Sequence, residues 1–266
     1  MRWSFFNSCM ASMRSAVPGK NTQQTFVRSA GMLEVSSVDG VLALVLAAVG
    51  FVVGGPVNAV IARVPRKEPV RPAIRFGLGG TRRALMVQLA CAALFAAAGL
   101  RFGLSPAVPA WLVLFAALVA ISVIDLEHYI VPNRILIPLT AAAVPLLALA
   151  TLDERAGLED FVRGLIGGVV GLVVMFALNL ISPRGMGMGD VKMSFPLGLY
   201  LGFLGWGAMV LGFFVAFLLG ALVGIGLMAL RRRGRKDHIP FGPFLAAGTV
   251  VASLWAGPIL RWYTGG

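Results

Sequence analysis

Residues 108–128 read V-P-A-W-L-V-L-F-A-A-L-V-A-I-S-V-I-D-L-E-H. From Val108 to Ile124 there is no charge, and the run then meets Asp125. As a helix those residues span about 26 Å, close to the roughly 30 Å of a bilayer's hydrocarbon core. An ionisable group against such a run is a functional hypothesis by default.

Seven further apolar runs flank this one. With it, the candidate spans are about Val41–Ala62, Ala84–Leu100, Val108–Ile124, Ile135–Leu152, Phe161–Ile181, Met193–Leu204, Ala208–Leu230 and Phe241–Leu260. The stretch from Met193 to Leu230 carries no charge. As a single helix it would run about 57 Å, too long for one crossing. Gly205-Trp206-Gly207 is the turn expected to split it, leaving a short helix before the turn. Short alternating segments of the barrel type are absent, so helices are expected. The expected fold class is therefore an all-α integral membrane protein, a polytopic bundle of about eight transmembrane helices. The composition agrees: 58% of residues are hydrophobic and 13% charged, against about 25% charged in soluble domains.

The net charge of +12 does not indicate nucleic acid, because the basic residues cluster between apolar runs, as the positive-inside rule requires. Residues 63–83 carry Arg63, Arg66, Lys67, Arg71, Arg75, Arg82 and Arg83 against Glu68 alone, and residues 231–237 read R-R-R-G-R-K-D. Both loops are expected in the cytoplasm. Residues 153–160, D-E-R-A-G-L-E-D, are net acidic and expected outside. Eight spans satisfy all three assignments, with both termini outside. Asp125 and Asp190, in the third and fifth connections, then share the cytoplasmic face. Residues 1–37 are polar, carry Arg2, Arg14, Lys20 and Arg28, and lack the apolar run of a signal peptide. They are expected to be a disordered extension, with Met32 a candidate true start. Residues 38–266 form the transmembrane domain, with 63–83 as a short basic loop. Cys9 and Cys91 support neither a disulfide framework nor a zinc site, and no metal is expected.

The eleven acids thin out quickly. Glu34 and Asp39 precede the first span, and Asp153, Glu154, Glu159 and Asp160 lie in the outside loop. Glu68 and Asp237 sit among basic residues and read as solvated charge partners. Asp125, Glu127 and Asp190 remain. Positions i and i+2 of a helix point about 200° apart, so Asp125 and Glu127 do not aim at one point; Glu127, with His128 and Tyr129, reads as an interfacial cluster or a supporting group. Two like charges about 3 Å apart cannot both ionise easily, so such a pair shares one proton. The ionised partner can take a proton from water while the protonated one hydrogen-bonds a scissile carbonyl.

Asp190 lies in G-M-G-M-G-D-V-K, Gly185–Lys192. Each glycine disfavours helix by about 1 kcal/mol relative to alanine, so a non-helical approach to Asp190 is expected. Gly187 and Gly189 could admit an extended substrate by strand addition, or the run could be an ordinary loop with Asp190 as the helix N-cap. Lys192 could bias Asp190, contact substrate, or snorkel to headgroups.

Four segments resemble the type IV prepilin peptidases, leader peptidases of the G-x-G-D aspartyl protease class. They are G-G-P-V-N-A-V-I-A-R-V-P (Gly54–Pro65), I-D-L-E-H-Y-I-V-P-N (Ile124–Asn133), G-M-G-M-G-D-V-K (Gly185–Lys192) and P-F-G-P-F-L-A-A-G (Pro240–Gly248). The resemblance covers most of residues 41–260. It implies a catalytic pair Asp125 and Asp190, with Gly187, Gly189, Lys192 and Glu127 as candidate substrate contacts. It also implies prepilin or pseudopilin-like substrates, cut on the cytoplasmic side of the bacterial inner membrane amid its lipid. Proteolysis needs no cofactor; members of the family often also methylate the new amino terminus from S-adenosylmethionine. Longer members carry two C-x-x-C pairs in the first cytoplasmic loop; residues 63–83 contain no cysteine, and Gln88 stands where the family tends to have glutamate. Both departures weigh against retained methylation.

Other chemistries lack their signatures. There is no H-E-x-x-H and no G-x-S-x-G. A proton- or ion-coupled transporter using Asp125 and Asp190 as a relay is the alternative, but would place acids near mid-membrane and tends to show inverted repeats. A structural scaffold would leave the glycine-rich segment without a purpose.

Overall fold

The computed structural model describes residues 37–65, 82–153, 156–181, 186–229 and 240–264. Eight helices are present among them: α1 Ser37–Arg63, α2 Arg82–Phe102, α3 Val108–His128, α4 Asn133–Ala150, α5 Leu158–Ile181, α6 Met188–Leu204, α7 Trp206–Ala229 and α8 Gly242–Thr264. There is no strand among the described residues. All but α6 are long and apolar enough to cross a membrane. At 17 residues α6 is the short helix expected before the Gly205 turn, and it is almost wholly buried among the others. Of Gly205-Trp206-Gly207 only Gly205 leaves the helical path, at φ 135°, a conformation glycine tolerates best. Leu44, Met86, Ile137 and Val210 expose 66–73% of their surface; in lipid these large apolar side chains need no protein cover.

Three helix pairs pack most extensively, α1 with α2, α5 with α6, and α7 with α8. Glycine makes these approaches close, and on α8 a Cβ on Gly248 would run into the Gly212 carbonyl oxygen of α7. A Cβ on Gly54 would stand 2.5 Å from Cα of Gln88, and one on Gly50 would stand 2.6 Å from the Cys91 carbonyl oxygen. On α5, a Cβ on Gly167 would stand 2.6 Å from the Gly198 carbonyl oxygen, and one on Gly164 2.9 Å from that of Leu199. Such small-residue seams let helices associate where lipid offers no hydrophobic drive. The central helix is α3, which packs on α1, α2, α4 and α8 and buries Trp111, Leu114, Phe115, Leu118, Ile121 and Ile124. Trp111 stacks on Phe102 at 4.7 Å between ring centroids and meets Tyr200 of α6 at 5.3 Å.

Several boundaries differ from expectation. α3 continues one turn past Ile124, through Asp125 and Glu127, to His128. It stops at Tyr129, whose left-handed backbone (φ 57°, ψ 36°) sends its N–H to the Asp125 carbonyl at 2.8 Å, and Pro132 then prevents resumption of the same helix. α6 opens at Met188, so Asp190 is not its N-cap and Gly189 is helical. The basic loop is shorter than 63–83, because Arg63 closes α1 and Arg82 opens α2. The expected extension 1–37 lies outside the described residues apart from Ser37, as do residues 66–81, 182–185 and 230–239.

Candidate active site

Asp125 lies in the last turn of α3 and Asp190 in the first turn of α6. Between them the chain crosses twice, through α4 and α5, so the two acids come to the same end of the bundle. Both are buried, at 4% and 6% exposure, and both line one cavity of about 310 Å³. Its wall is completed by the α3–α4 connection (Tyr129, Ile130, Val131 and Asn133), by Gly187, Met188, Gly189 and Lys192 around Asp190, and by Pro240 and Phe241 before α8.

The segment before Asp190 is held by tertiary contacts. Asn179 of α5 donates its side-chain N–H to the Met186 carbonyl at 2.7 Å. Gly187 is extended (φ −73°, ψ 145°) and is the N-cap of α6. Its N–H reaches an Asp190 carboxyl oxygen at 3.3 Å. Gly189 faces the side chain of Val131, which a Cβ there would meet at 2.9 Å. Gly189 is helical and its side-chain position is already filled, so it offers no free strand edge. Of the two glycines only Gly187 has extended backbone.

α5 supplies a built-in comparison. It opens with Gly157, whose N–H donates to the Asp160 carboxylate at 2.8 Å, the same glycine-to-aspartate reach-back that opens α6. Asp160, however, is partly exposed and also bonds Arg163. Asp190 has no such partner: its Oδ1 is buried and makes no hydrogen bond among the described residues. Helix capping accounts for one carboxyl oxygen of Asp190 and leaves the other, which costs free energy to bury unpaired. Asp125 is held differently. The N–H of Gly242, at the start of α8, donates to its Oδ2 at 3.0 Å.

Lys192 is exposed at the cavity's edge. Glu127 does not line the cavity. It accepts from Arg83 of α2 at 3.1 and 3.3 Å, and Arg83 also donates to Asn58 of α1 at 3.2 Å. This places Glu127 in a bracket joining α1, α2 and α3, as expected for a residue two positions from the inward Asp125. His128 stands 3.8 Å from Glu127 in the same cluster. Gln88 is buried under Gly54 in the α1–α2 seam. Among the described residues no group of three or more His, Cys, Asp or Glu could hold a metal ion.

Asn179, Val131 and Gly242 were not singled out from sequence. Asn179, the one amide inside the fifth apolar run, was a readable signal; Gly242 acts through its backbone and left none beyond its P-F-G-P setting.

The fold and the paired acids define a polytopic helical membrane protein with a carboxyl-lined cavity at one end. Residues 112–225 match the model of the type IV leader peptidase family. The chain is 34% identical over 176 residues to a prepilin leader peptidase/N-methyltransferase of Bacillus subtilis, covering 66% of this chain and 67% of that one. It is 36% identical over 165 residues to one of Aeromonas hydrophila, covering 58% and 54%, and 33% identical over 184 residues to one of Pseudomonas aeruginosa, covering 68% and 61%. The chain thus spans about half to two thirds of these relatives' length. No solved structure matches it. The chain belongs to the type IV leader peptidase family, a family of proteases.

Proposed function

We propose that the protein is a membrane-embedded aspartic endopeptidase that removes the leader of type IV prepilin-like or pseudopilin-like substrates, with Asp125 and Asp190 as the catalytic pair. The observation that carries this is a single cavity receiving two buried carboxyls from separate helices, one with an oxygen left unpartnered. Two carboxyls in so confined a site share one proton, which supplies a base for water and an acid for the scissile carbonyl. Gly187, with its extended backbone, and Lys192 at the edge are the proposed substrate contacts on that wall.

Cleavage is assigned to the cytoplasmic face of the bacterial inner membrane. The ends of α1, α2 and α7 nearest the dyad adjoin the basic runs 63–83 and 231–236, while the opposite end carries Asp153, Glu159 and Asp160. A transmembrane relay is disfavoured because Asp125 and Asp190 are the only buried acids among the described residues, and both sit at one end.

The relatives' names also carry N-methyltransferase activity. Outside the dyad cavity, the buried polar atoms left unpaired among the described residues are the Trp111 indole nitrogen and the Tyr200 hydroxyl, deep in the core. Trp111 and Tyr200 are fully buried, and that pair does not fit S-adenosylmethionine. The mass of the cleaved product reads that activity directly.

The test is reconstitution in liposomes with a prepilin-like substrate. Asp125→Asn and Asp190→Asn are each expected to abolish cleavage while leaving the unfolding temperature near wild type. Normal cleavage by either variant would remove that residue from the dyad. In vesicles of known orientation, substrate supplied only to the cytoplasmic side should be cut; cleavage only from the opposite side would reverse the assigned face.

A further inference from the structure

We propose that Gly242 is a positioning residue that decides how the dyad divides its labour: its backbone N–H keeps the negative charge on Asp125, so that Asp190 holds the proton. This rests on the reading of the two aspartates as catalytic.

The two acids have unequal surroundings. Asp125 Oδ2 accepts from the first N–H of α8 at 3.0 Å, where helix N-termini favour negative charge. A charge-assisted bond to a backbone N–H is roughly twice as strong as a neutral one. Asp190 takes only the longer 3.3 Å bond from Gly187, and its Oδ1 is buried without a partner among the described residues. A bare anionic oxygen in that position is the costlier arrangement; a protonated carboxyl there is neutral and has a hydrogen to give. Among the described residues, the other titratable or charged groups lining the cavity are Tyr129 and Lys192, both exposed. Glu127 and His128, on the last turn of α3, belong to the Arg83 cluster instead.

Residue 242 must be glycine for this to work. A Cβ there would stand 2.7 Å from Asp125 Oδ2 and 3.3 Å from its carboxyl carbon. Any side chain pushes the carboxylate off the N–H that holds it. The substituent would meet the Asp125 carboxyl itself.

The steps follow. Water bonds through its oxygen to the scissile carbonyl carbon and gives a proton to Asp125, while Asp190 gives its proton to the carbonyl oxygen, forming a gem-diol. Asp125 then protonates the amide nitrogen as the C–N bond breaks. One hydroxyl of the diol returns its proton to Asp190, leaving a carboxylic acid, a free amine and the starting dyad.

The proton is read without substrate, by infrared difference spectroscopy of 13C-aspartate-labelled protein at neutral pH. The protonated-carboxyl stretch is expected to vanish in Asp190→Asn and to persist in Asp125→Asn. Persistence in Asp190→Asn, or absence from Asp125→Asn, overturns the assignment. In liposomes Gly242→Ala is expected to lower kcat 10-fold or more with KM unchanged, on the order of what sub-ångström misplacement of a catalytic group costs. An unchanged kcat, or a loss confined to KM, overturns Gly242's role. If that variant does not fold, the infrared result on the two asparagine variants decides alone. Since the spectra need no cleavage, a wrong proton assignment and a failure of the peptidase reading give different results.

Discussion

Replacing Gly167 by alanine strikes the seam that carries Asp190. The new methyl would lie 2.6 Å from the Gly198 carbonyl oxygen and 3.0 Å from Cα of Gly202. The first contact falls about 0.8 Å short of ordinary van der Waals separation. Both neighbours are backbone, so no side chain can swing aside and the helices must part. Overpacking of this kind costs about 1–3 kcal/mol, and alanine's better helix propensity returns up to about 1 kcal/mol. With that full return the net expectation is destabilisation by up to about 2 kcal/mol. Because α6 carries Asp190, parting it from α5 also shifts the proposed dyad; misplacement of a catalytic group by about 1 Å costs around 100-fold in rate. The control is Gly226→Ala on α7, where a Cβ meets nothing within 4 Å, with expected stability at or above wild type. Thermal unfolding in one detergent and cleavage in one liposome preparation read both quantities. If Gly167→Ala matches Gly226→Ala in melting temperature and in rate, the seam does not set the position of Asp190.

Two further outcomes are expected. Gly189→Ala should slow cleavage, since its Cβ would meet Val131 at 2.9 Å, and Val131→Gly in the same chain should restore much of the rate; a double variant no better than the single one would mean that Val131 is not the obstacle. Tyr200→Phe removes a buried hydroxyl with no partner among the described residues, so unfolding should be unchanged or up to about 1 kcal/mol harder. Destabilisation beyond about 1 kcal/mol would reveal a hidden partner for that hydroxyl.

What was legible from sequence was what lipid imposes. Charge-free runs set the helices, and counting crossings from Asp125 to Asp190 set their common end. The turn at Gly205 was readable because an uninterrupted helix would outrun the bilayer. The angular argument separating Glu127 from Asp125 needed only that the helix continue, and it does, to His128. The start of α6 was misjudged because propensity argues against helix in G-M-G-D, whereas Asn179 on the Met186 carbonyl and Val131 against Gly189 hold the segment there. A local clue existed: Gly157-Leu158-Glu159-Asp160 opens α5 with the same spacing. Gly242 was out of reach, since a backbone N–H has the same letter wherever it points.

The seam between α5 and α6 has a mechanical consequence. Twenty-four residues of α5 and seventeen of α6 are locked into one stiff carrier, so a tilt imposed on the longer helix is passed to the shorter. A bilayer thinner than a helix's apolar length favours such a tilt, at fractions of a kcal/mol per ångström of mismatch. Asp125 rides on a different carrier, α3. Varying the acyl-chain length of the surrounding lipid is therefore expected to change the gap between the two carboxyls.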